Sequence, residues 1–222
     1  MSFSFVIPTY NHYDLLHQLL WDMYKNCSLP DEVIVVNNGS VDDTATLNGL
    51  EWWIKSKMLP IRVLDLEENI GFLRASNAGL RYATGDIVCL ISNDVRLYGD
   101  LMKSVDIVDR TSDKWFAGGR LFWNSTGWND FDGKVFPYLE GWLLVGKKDA
   151  WKDVGYFDES FAPNDFEDVD FSTSLLSKKY VLHALELDCK MEHIGAQTIG
   201  YNPERQALTE RNREKFRQKW VK

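Results

Sequence analysis

Four short apolar runs, evenly interrupted, constrain the fold of this chain more than any other feature. FSFVIP at 3–8, DEVIVVNN at 31–38, IRVLDL at 61–66 and DIVCLIS at 86–92 are rich in Val, Ile and Leu and show little polar alternation. Such runs mark strands buried on both faces. The stretches between them have helical spacing. Asn11 stands where it would cap a helix over 12–25, with Leu15, Leu16, Leu19, Leu20 and Met23 on its apolar side. After Gly39-Ser40, Asp42 or Asp43 starts a second helix, and ENIGFLRASNAGLRYA leads into a third that ends near Gly85. A β-α-β-α-β-α-β alternation gives an α/β fold with a parallel, doubly wound sheet and ligands beyond the carboxyl ends of its strands.

The pattern changes after about residue 112. WFAGGRLFW and VFPYLEGWLLVG read as longer strands, followed by a short helix from Asp149, a loop at 156–164 and a helix over 165–178. YVLHALELD is a further strand, followed by MEHIG, and 203–221 reads as an amphipathic helix with Leu208, Phe216 and Trp220 apolar among basic and acidic residues. Without repeats or evident linkers, the expectation is one domain over 1–222: a ligand-binding half (1–97), a mixed half (98–202) and a C-terminal helix (203–222).

The formal net charge of −8 argues against general nucleic-acid binding, which wants a basic face. Cys27, Cys89 and Cys189 are odd in number and widely spaced, giving neither a zinc knuckle nor a disulfide framework. The first residues read directly as a strand, not as a signal peptide, and no apolar run approaches a membrane span. The expectation is a soluble, cytoplasmic protein. Aromatic content is high, at 14%, a hint of sugar-binding faces as well as core.

Polar residues gather where the strands end. Pro8, Thr9, Tyr10 and Asn11 close the first strand; Asn37, Asn38, Gly39 and Ser40 follow the second; Ser92, Asn93 and Asp94 follow the fourth. Amides and hydroxyls there suit a base and ribose, with Tyr10 placed to stack, although Asn-Gly-Ser is also an ordinary turn signal. Gly71 permits a tight approach at a helix start whose amides would meet an anion, and Arg74 in the first turns would reach a phosphate. No Lys-Ser/Thr follows, so this is not a Walker loop.

Taken in order, VIPTYN, VVNNGSVDD, ENIGFLRASNAGL, LISNDV and VGYFDESFAPNDFEDVDF resemble the family 2 inverting glycosyltransferases of the GT-A fold, from about Ser4 to His193. RNREKFRQKW is similar to the family's C-terminal helix. The resemblance implies transfer of a sugar from a nucleotide-diphosphate donor to an acceptor hydroxyl, on a glycan, with inversion at the anomeric carbon. A UDP-sugar is favoured, with dTDP and GDP open. Pro8, Thr9, Tyr10, Asn11, Asn37, Asn38, Gly71, Arg74, Ser92 and Asn93 are the nucleotide-binding candidates.

The resemblance also implies a divalent cation, which stabilises the diphosphate leaving group. Asp94 matches the last aspartate of the family's Asp-x-Asp element, while Ser92 replaces the first. One carboxylate suffices for Mg2+, which fills its shell with phosphates and waters. His193, in EHIG, is the candidate second ligand, and an imidazole favours Mn2+ over Mg2+. A base must also take the acceptor proton. Glu167, Asp168 and Asp170 crowd a helix start, where mutual repulsion would raise at least one pKa. By resemblance Asp168 is the base, with Glu167 and Asp170 orienting the loop or binding acceptor hydroxyls. Many similar chains carry an arginine four residues after Asp170; here it is Ser174, so any ion pair made from that position is absent. Trp123, Trp128, Tyr138 and Trp142 offer faces for an acceptor sugar, or pack the loop and core.

Two other classes stay open at this point. A sugar-phosphate nucleotidyltransferase would need a glycine-rich basic loop after the first strand, where this chain has PTYNHYD. A degenerate nucleotide- or glycan-binding module would explain Ser92 and Asn37, but not the retained EDVD.

Overall fold

Each of the four apolar runs forms a strand in the computed structural model, which describes residues 1–41, 43–185, 189–195 and 202–221, and only the backbone of 43–47. The first half runs β1 (Phe3–Thr9), α1 (Tyr13–Asn26), β2 (Glu32–Asn38), α2 (Asp43–Ser56), β3 (Ile61–Leu66), α3 (Phe72–Tyr82) and β4 (Ile87–Ile91). All four strands are parallel, in the order β4-β1-β2-β3. Every residue of β1, β2 and β4 is buried.

The two faces of β1 show why. Phe3, Phe5 and Ile7 point into one core with Leu16 and Leu19 of α1 and Trp53 of α2. Val6 points into the other, with Leu73 and Leu80 of α3. Helices on both faces leave no strand residue for water, so the polar alternation of a half-exposed strand is missing.

β5 (Val95–Leu97), α4 (Leu101–Asp109), β6 (Trp115–Gly118), β7 (Leu121–Phe122), β8 (Asp130–Phe131), β9 (Lys134–Val135), β10 (Tyr138–Leu139) and β11 (Leu143–Lys147) open the second half. α5 (Lys148–Val154), a 3-10 turn at Glu159–Phe161, α6 (Glu167–Ser177), β12 (Val181–Ala184), β13 (Met191–His193) and α7 (Pro203–Trp220) complete it. The sheet grows to β12-β6-β11-β4-β1-β2-β3, with β11 antiparallel to both β4 and β6. The sheet is therefore mostly parallel, with its antiparallel pairings confined to β11 in the mixed half expected over 98–202.

Three local expectations are corrected, and one start is settled between its two candidates. Asn11 does not cap α1: Asn11 and His12 both have positive φ, and the Asn11 carboxamide oxygen instead accepts from the Val41 amide at 3.0 Å. Asn tolerates that left-handed conformation better than most residues, and the cost is set against joining two strand-end loops. The two long strands after residue 112 are broken. Gly118-Gly119 ends β6, and a Cβ on Gly119 would lie 1.9 Å from the Trp142 ring, so only glycine admits that indole. α2 starts at Asp43, and Asp42 lies outside the described residues, as do 186–188 of the expected 180–188 strand. On α7 the buried pair is Asn212 and Phe216, a polar residue inside what reads as an apolar stripe.

Candidate active site

β4 ends at Ile91, and Ser92-Asn93-Asp94 turn the chain into β5. β5 pairs antiparallel with β13, so that His193 faces Val95, and the Ile194 amide donates to the Asp94 carbonyl at 3.1 Å. This ladder brings Asp94 Oδ1 to 3.3 Å from His193 Nε2. Donors on adjacent positions of an octahedral ion, each at about 2.1 Å, stand about 3 Å apart. The pair therefore matches one edge of a Mg2+ or Mn2+ shell, and its mixed O,N character favours Mn2+. Among the described residues no cluster of three or more His, Cys, Asp or Glu is arranged to hold a metal.

The imidazole is held from behind. The Trp142 ring stacks on His193 with centroids 5.1 Å apart and planes 18° from parallel. The Trp142 indole N–H donates to the Glu140 carboxylate at 2.8 Å, and its carbonyl accepts from the Ser92 amide at 2.8 Å. Trp142 is 8% exposed, so its face is occupied and is not offered to an acceptor sugar.

The next residue back reaches the acidic segment. The Gly141 amide donates to Asp168 Oδ2 at 3.2 Å, while Asp168 Oδ1 accepts from the Val169 amide at 2.8 Å. Burial pushes the Asp168 carboxyl up to about 7 against those two bonds, and the charges of Glu140 and Asp165 add to the shift. Glu167 is buried, and its Oε2 has no hydrogen-bond partner. Burial first, and then the Asp168 charge, push it well above the ordinary carboxylate range. Repulsion within the trio is thus secondary to burial. Tyr138 is also pushed up to about 12, by burial and then by the Asp168 charge.

Asp170 does not share this space. It accepts from the Trp220 indole N–H at 2.7 Å and pairs with Lys219 Nζ at 2.9 Å, so it anchors α7 and is not presented to acceptor hydroxyls. The cation for Asp170 comes from α7, while the Ser174 hydroxyl donates to the Asp170 carbonyl at 2.9 Å. Tyr138 stacks on Phe122 at 5.1 Å, whereas Trp123 and Trp128 remain exposed at 56% and 48%.

The nucleotide-binding candidates are engaged with one another. Asn37 Nδ2 donates to Asp65 at 2.8 Å, and its oxygen accepts from the Ser40 hydroxyl at 2.5 Å. Asn38 Nδ2 donates to Asn69 at 2.9 Å, and its oxygen accepts from the Ile70 amide at 3.0 Å. Asn93 Nδ2 donates to the Thr9 hydroxyl at 3.0 Å, tying β4 to β1, while Tyr10 is half-buried beyond it. Asp65 escapes sequence reasoning; its signal was an acid within the third apolar run, in register with Asn37.

The anion site expected at the start of α3 is corrected. The amides of Ile70, Gly71 and Leu73 already donate to Asn38, Asn69 and the Pro163 carbonyl. Gly71 has φ +84, and a Cβ there would lie 2.8 Å from Pro163 Cβ. Its freedom thus serves packing against the loop that leads to α6. Arg74 stays half-exposed, 3.9 Å from Glu159, in a surface pair of little energetic weight that leaves the guanidinium able to turn. Asn77, fully buried, links α3 to that same loop through Phe157 and Glu159.

The description "Glycosyl transferase family 2" matches residues 4–166, from within β1 to the residue before α6. Glu167, Asp168, Asp170 and His193 lie beyond the matched stretch. The glycosyltransferase YwdF of Bacillus subtilis (strain 168) is 35% identical over 94 residues, a stretch that covers 42% of this chain and 33% of that relative. The match thus spans only that third of the relative's length. Among solved structures, the mannosyltransferase PcManGT from Pyrobaculum calidifontis in complex with GDP-Man and Mn2+ aligns with a TM-score of 0.69 at 20% identity. That alignment covers 88% of this chain and 58% of that one. GalNAc-T7 with UDP, GalNAc and Mn2+ aligns with a TM-score of 0.72 at 13% identity, covering 91% and 45%. Both likenesses concern the fold, which is GT-A. With more than half of its length matched, the chain belongs to glycosyltransferase family 2.

Proposed function

We propose that this chain transfers a sugar from a nucleotide-diphosphate donor to an acceptor hydroxyl, with inversion, and that Asp168 is its base. One observation carries the reading: the turn Glu140-Gly141-Trp142 backs the Asp94–His193 pair with its indole and holds the Asp168 carboxyl with its amide. Asp94 and His193 would hold Mn2+ or Mg2+, which when bound offsets the charge that builds on the departing diphosphate. Asp168 accepts the proton of the attacking hydroxyl as its oxygen bonds to the anomeric carbon and the bond to the diphosphate breaks. A carboxyl near 7 is well matched to that task, because it is both ionised and basic close to neutral pH. Glu167, kept protonated, has an O–H to donate to a substrate oxygen and would hold no charge against Asp168.

The donor is a nucleotide sugar, with UDP favoured and GDP and dTDP as alternatives; the two aligned structures carry GDP-Man and UDP with Mn2+. Asn37, Asn38, Thr9, Asn93 and Ser92 form the wall against which base and ribose would lie, with Tyr10 and Arg74 as the contributors from either side. A glycan acceptor would stack on Trp123 and Trp128, the two exposed indoles of the 123–128 segment. Among the described residues no helix is long and apolar enough to cross a membrane.

The deciding experiment combines a thermal-shift panel of UDP, GDP and dTDP, with and without Mn2+, with nucleotide release from the corresponding sugar donors. Stabilisation by one diphosphate that requires Mn2+, together with release that falls in Asp168→Asn, is the expected result. Absence of both binding and release for every donor, with suitable acceptors supplied, rules the reading out.

A further inference from the structure

The segment that delivers Asp168 is held by α7. Asn212 is fully buried, and its Nδ2 donates to three main-chain carbonyls: Phe161 at 2.7 Å, Asn164 at 2.9 Å and Asp165 at 2.9 Å. One amide nitrogen with two hydrogens therefore gathers the whole 161–165 turn. The same helix face grips the turn again. Arg205 pairs with Asp165 at 2.9 Å, and the Thr209 hydroxyl donates to the same carboxylate at 2.7 Å. One turn beyond Asn212, Phe216 packs against Phe166, with centroids 5.9 Å apart. Asp165 and Phe166 both sit in the left-handed region, at φ 68 and 71. For a bulky side chain such as Phe this conformation is unfavourable and persists only where the surroundings over-determine it. Glu167 and Asp168 follow at once as the first turn of α6.

We propose that Asn212 is a positioning residue for the transfer reaction: by gathering the 161–165 carbonyls it fixes the left-handed pair and thereby the place of Asp168. The inference rests on the reading of Asp168 as base. A buried carboxamide on α7 is not required by packing; a leucine would fill such a stripe, but it would leave three loop carbonyls without their shared donor. Loss of the amide lets the 161–166 turn relax, moves Asp168 from its seat against Gly141, and lets water reach it. Asp168 is faced by Glu140 from the turn after β10, by Tyr138 from β10 and by Asp165 and Glu167 from its own segment, with Arg205 of α7 acting on Glu167. None of these is removed by substitution at Asn212, so a change in the pH profile reports movement of Asp168 itself.

The test compares wild type, Asn212→Ala, the milder Thr209→Val, and Arg217→Ala, a same-helix control whose side chain pairs with Asp132. Nucleotide release from UDP-glucose, UDP-galactose, UDP-GlcNAc and GDP-mannose is followed across pH, beside deuterium uptake by 161–168. Displacement of a catalytic group by about 1 Å costs about 10²-fold. Asn212→Ala is expected to lower kcat on that scale with donor KM within twofold, to move the acidic limb of the kcat profile to lower pH, and to speed exchange at 161–168. Thr209→Val shifts each reading in the same direction by less, and carries the test if Asn212→Ala does not fold; Arg217→Ala shifts none. Unchanged exchange in Asn212→Ala overturns the inference whatever the activity. So does a loss of kcat with the acidic limb unmoved, or an equal loss in Arg217→Ala. A wild type that releases no nucleotide, or an Asp168→Asn variant as active as wild type, defeats instead the reading of function, while the exchange comparison still decides whether Asn212 holds the turn.

Discussion

The strand ends of β1, β2 and β4 and the start of α6 are both rich in polar side chains, yet they are built on opposite terms. At the strand ends the groups answer one another: Asn37 with Asp65 and Ser40, Asn38 with Asn69 and Ile70, Asn93 with Thr9. At the start of α6, Glu167 Oε2 is buried without a partner and Asp168 is pushed up to about 7. Satisfied networks rigidify a surface and fix its shape. Unsatisfied or shifted groups cost stability and mark where chemistry is done. The first region is therefore a preformed wall, and the second, on the proposed function, the reactive corner, whose geometry must be enforced from outside.

The sharpest way to break this contrast is at its reactive side. Asp168→Asn is expected to cut transfer by about 10²–10⁴-fold, the range for losing a general base, while Mn2+-dependent diphosphate binding stays within twofold of wild type by thermal shift. Asp94→Ala comes next. A ligand at 100 times its Kd stabilises a protein by about 2.7 kcal/mol, and the Mn2+-dependent part of that shift is expected to vanish; an unchanged shift would mean that Asp94 holds no metal.

On the satisfied side, Asn37→Asp replaces an amide donor with a carboxylate beside Asp65. The expected cost is about 1–3 kcal/mol, the penalty for a buried polar group deprived of its partner, measured by denaturant unfolding at pH 7 and relieved as pH falls to 4. If stability is unchanged, the wall is looser than its bonds imply.

The smallest effect is at Glu167. Its folded pKa is raised, so its contribution to stability is fully present below the unfolded pKa and is lost as pH rises towards the folded value. Glu167→Gln is therefore expected to match wild type near pH 4 and to melt higher at pH 8. For a domain of this size about 1 kcal/mol corresponds to about 2–4 °C. A variant that melts lower at both pH values would show that the carboxyl is ionised and partnered.

Much of this was legible in the sequence, and what was not has a common physical origin. Strands β1, β2 and β4 could be read because burial on both faces leaves apolar runs, and the edge strand β3, partly exposed, because Ile61, Val63, Leu64 and Leu66 keep it mostly apolar. Asp94 and His193 could be named from the family's motifs, and the β5–β13 ladder brings them together. The reversal of β11 could not be read, since an antiparallel strand in a buried sheet has the same composition as a parallel one. Nor could the partners of Asn37, Asn38 and Asp170, because hydrogen bonds between strand ends depend on register and not on residue type. Asn11 looked like a helix cap for the same reason: the acceptor suits either the helix or Val41, and only the tertiary path decides. Asn212 reads as one more polar residue on a charged helix until the 161–165 turn is placed against it.

The pairing of β5 with β13 has a kinetic consequence. Asp94 and His193 are 99 residues apart in the chain, so closing that ladder is among the long-range steps, which carry a large entropic cost and come late in folding. The parallel strands of the first half can assemble while His193 is still unsynthesised. On the proposed reading, competence to bind a cation through both residues arises only after residue 193 has emerged and docked. Metal-dependent nucleotide binding in a pulse-refolding experiment would then time the closing of the β5–β13 ladder, rather than the formation of the first-half sheet.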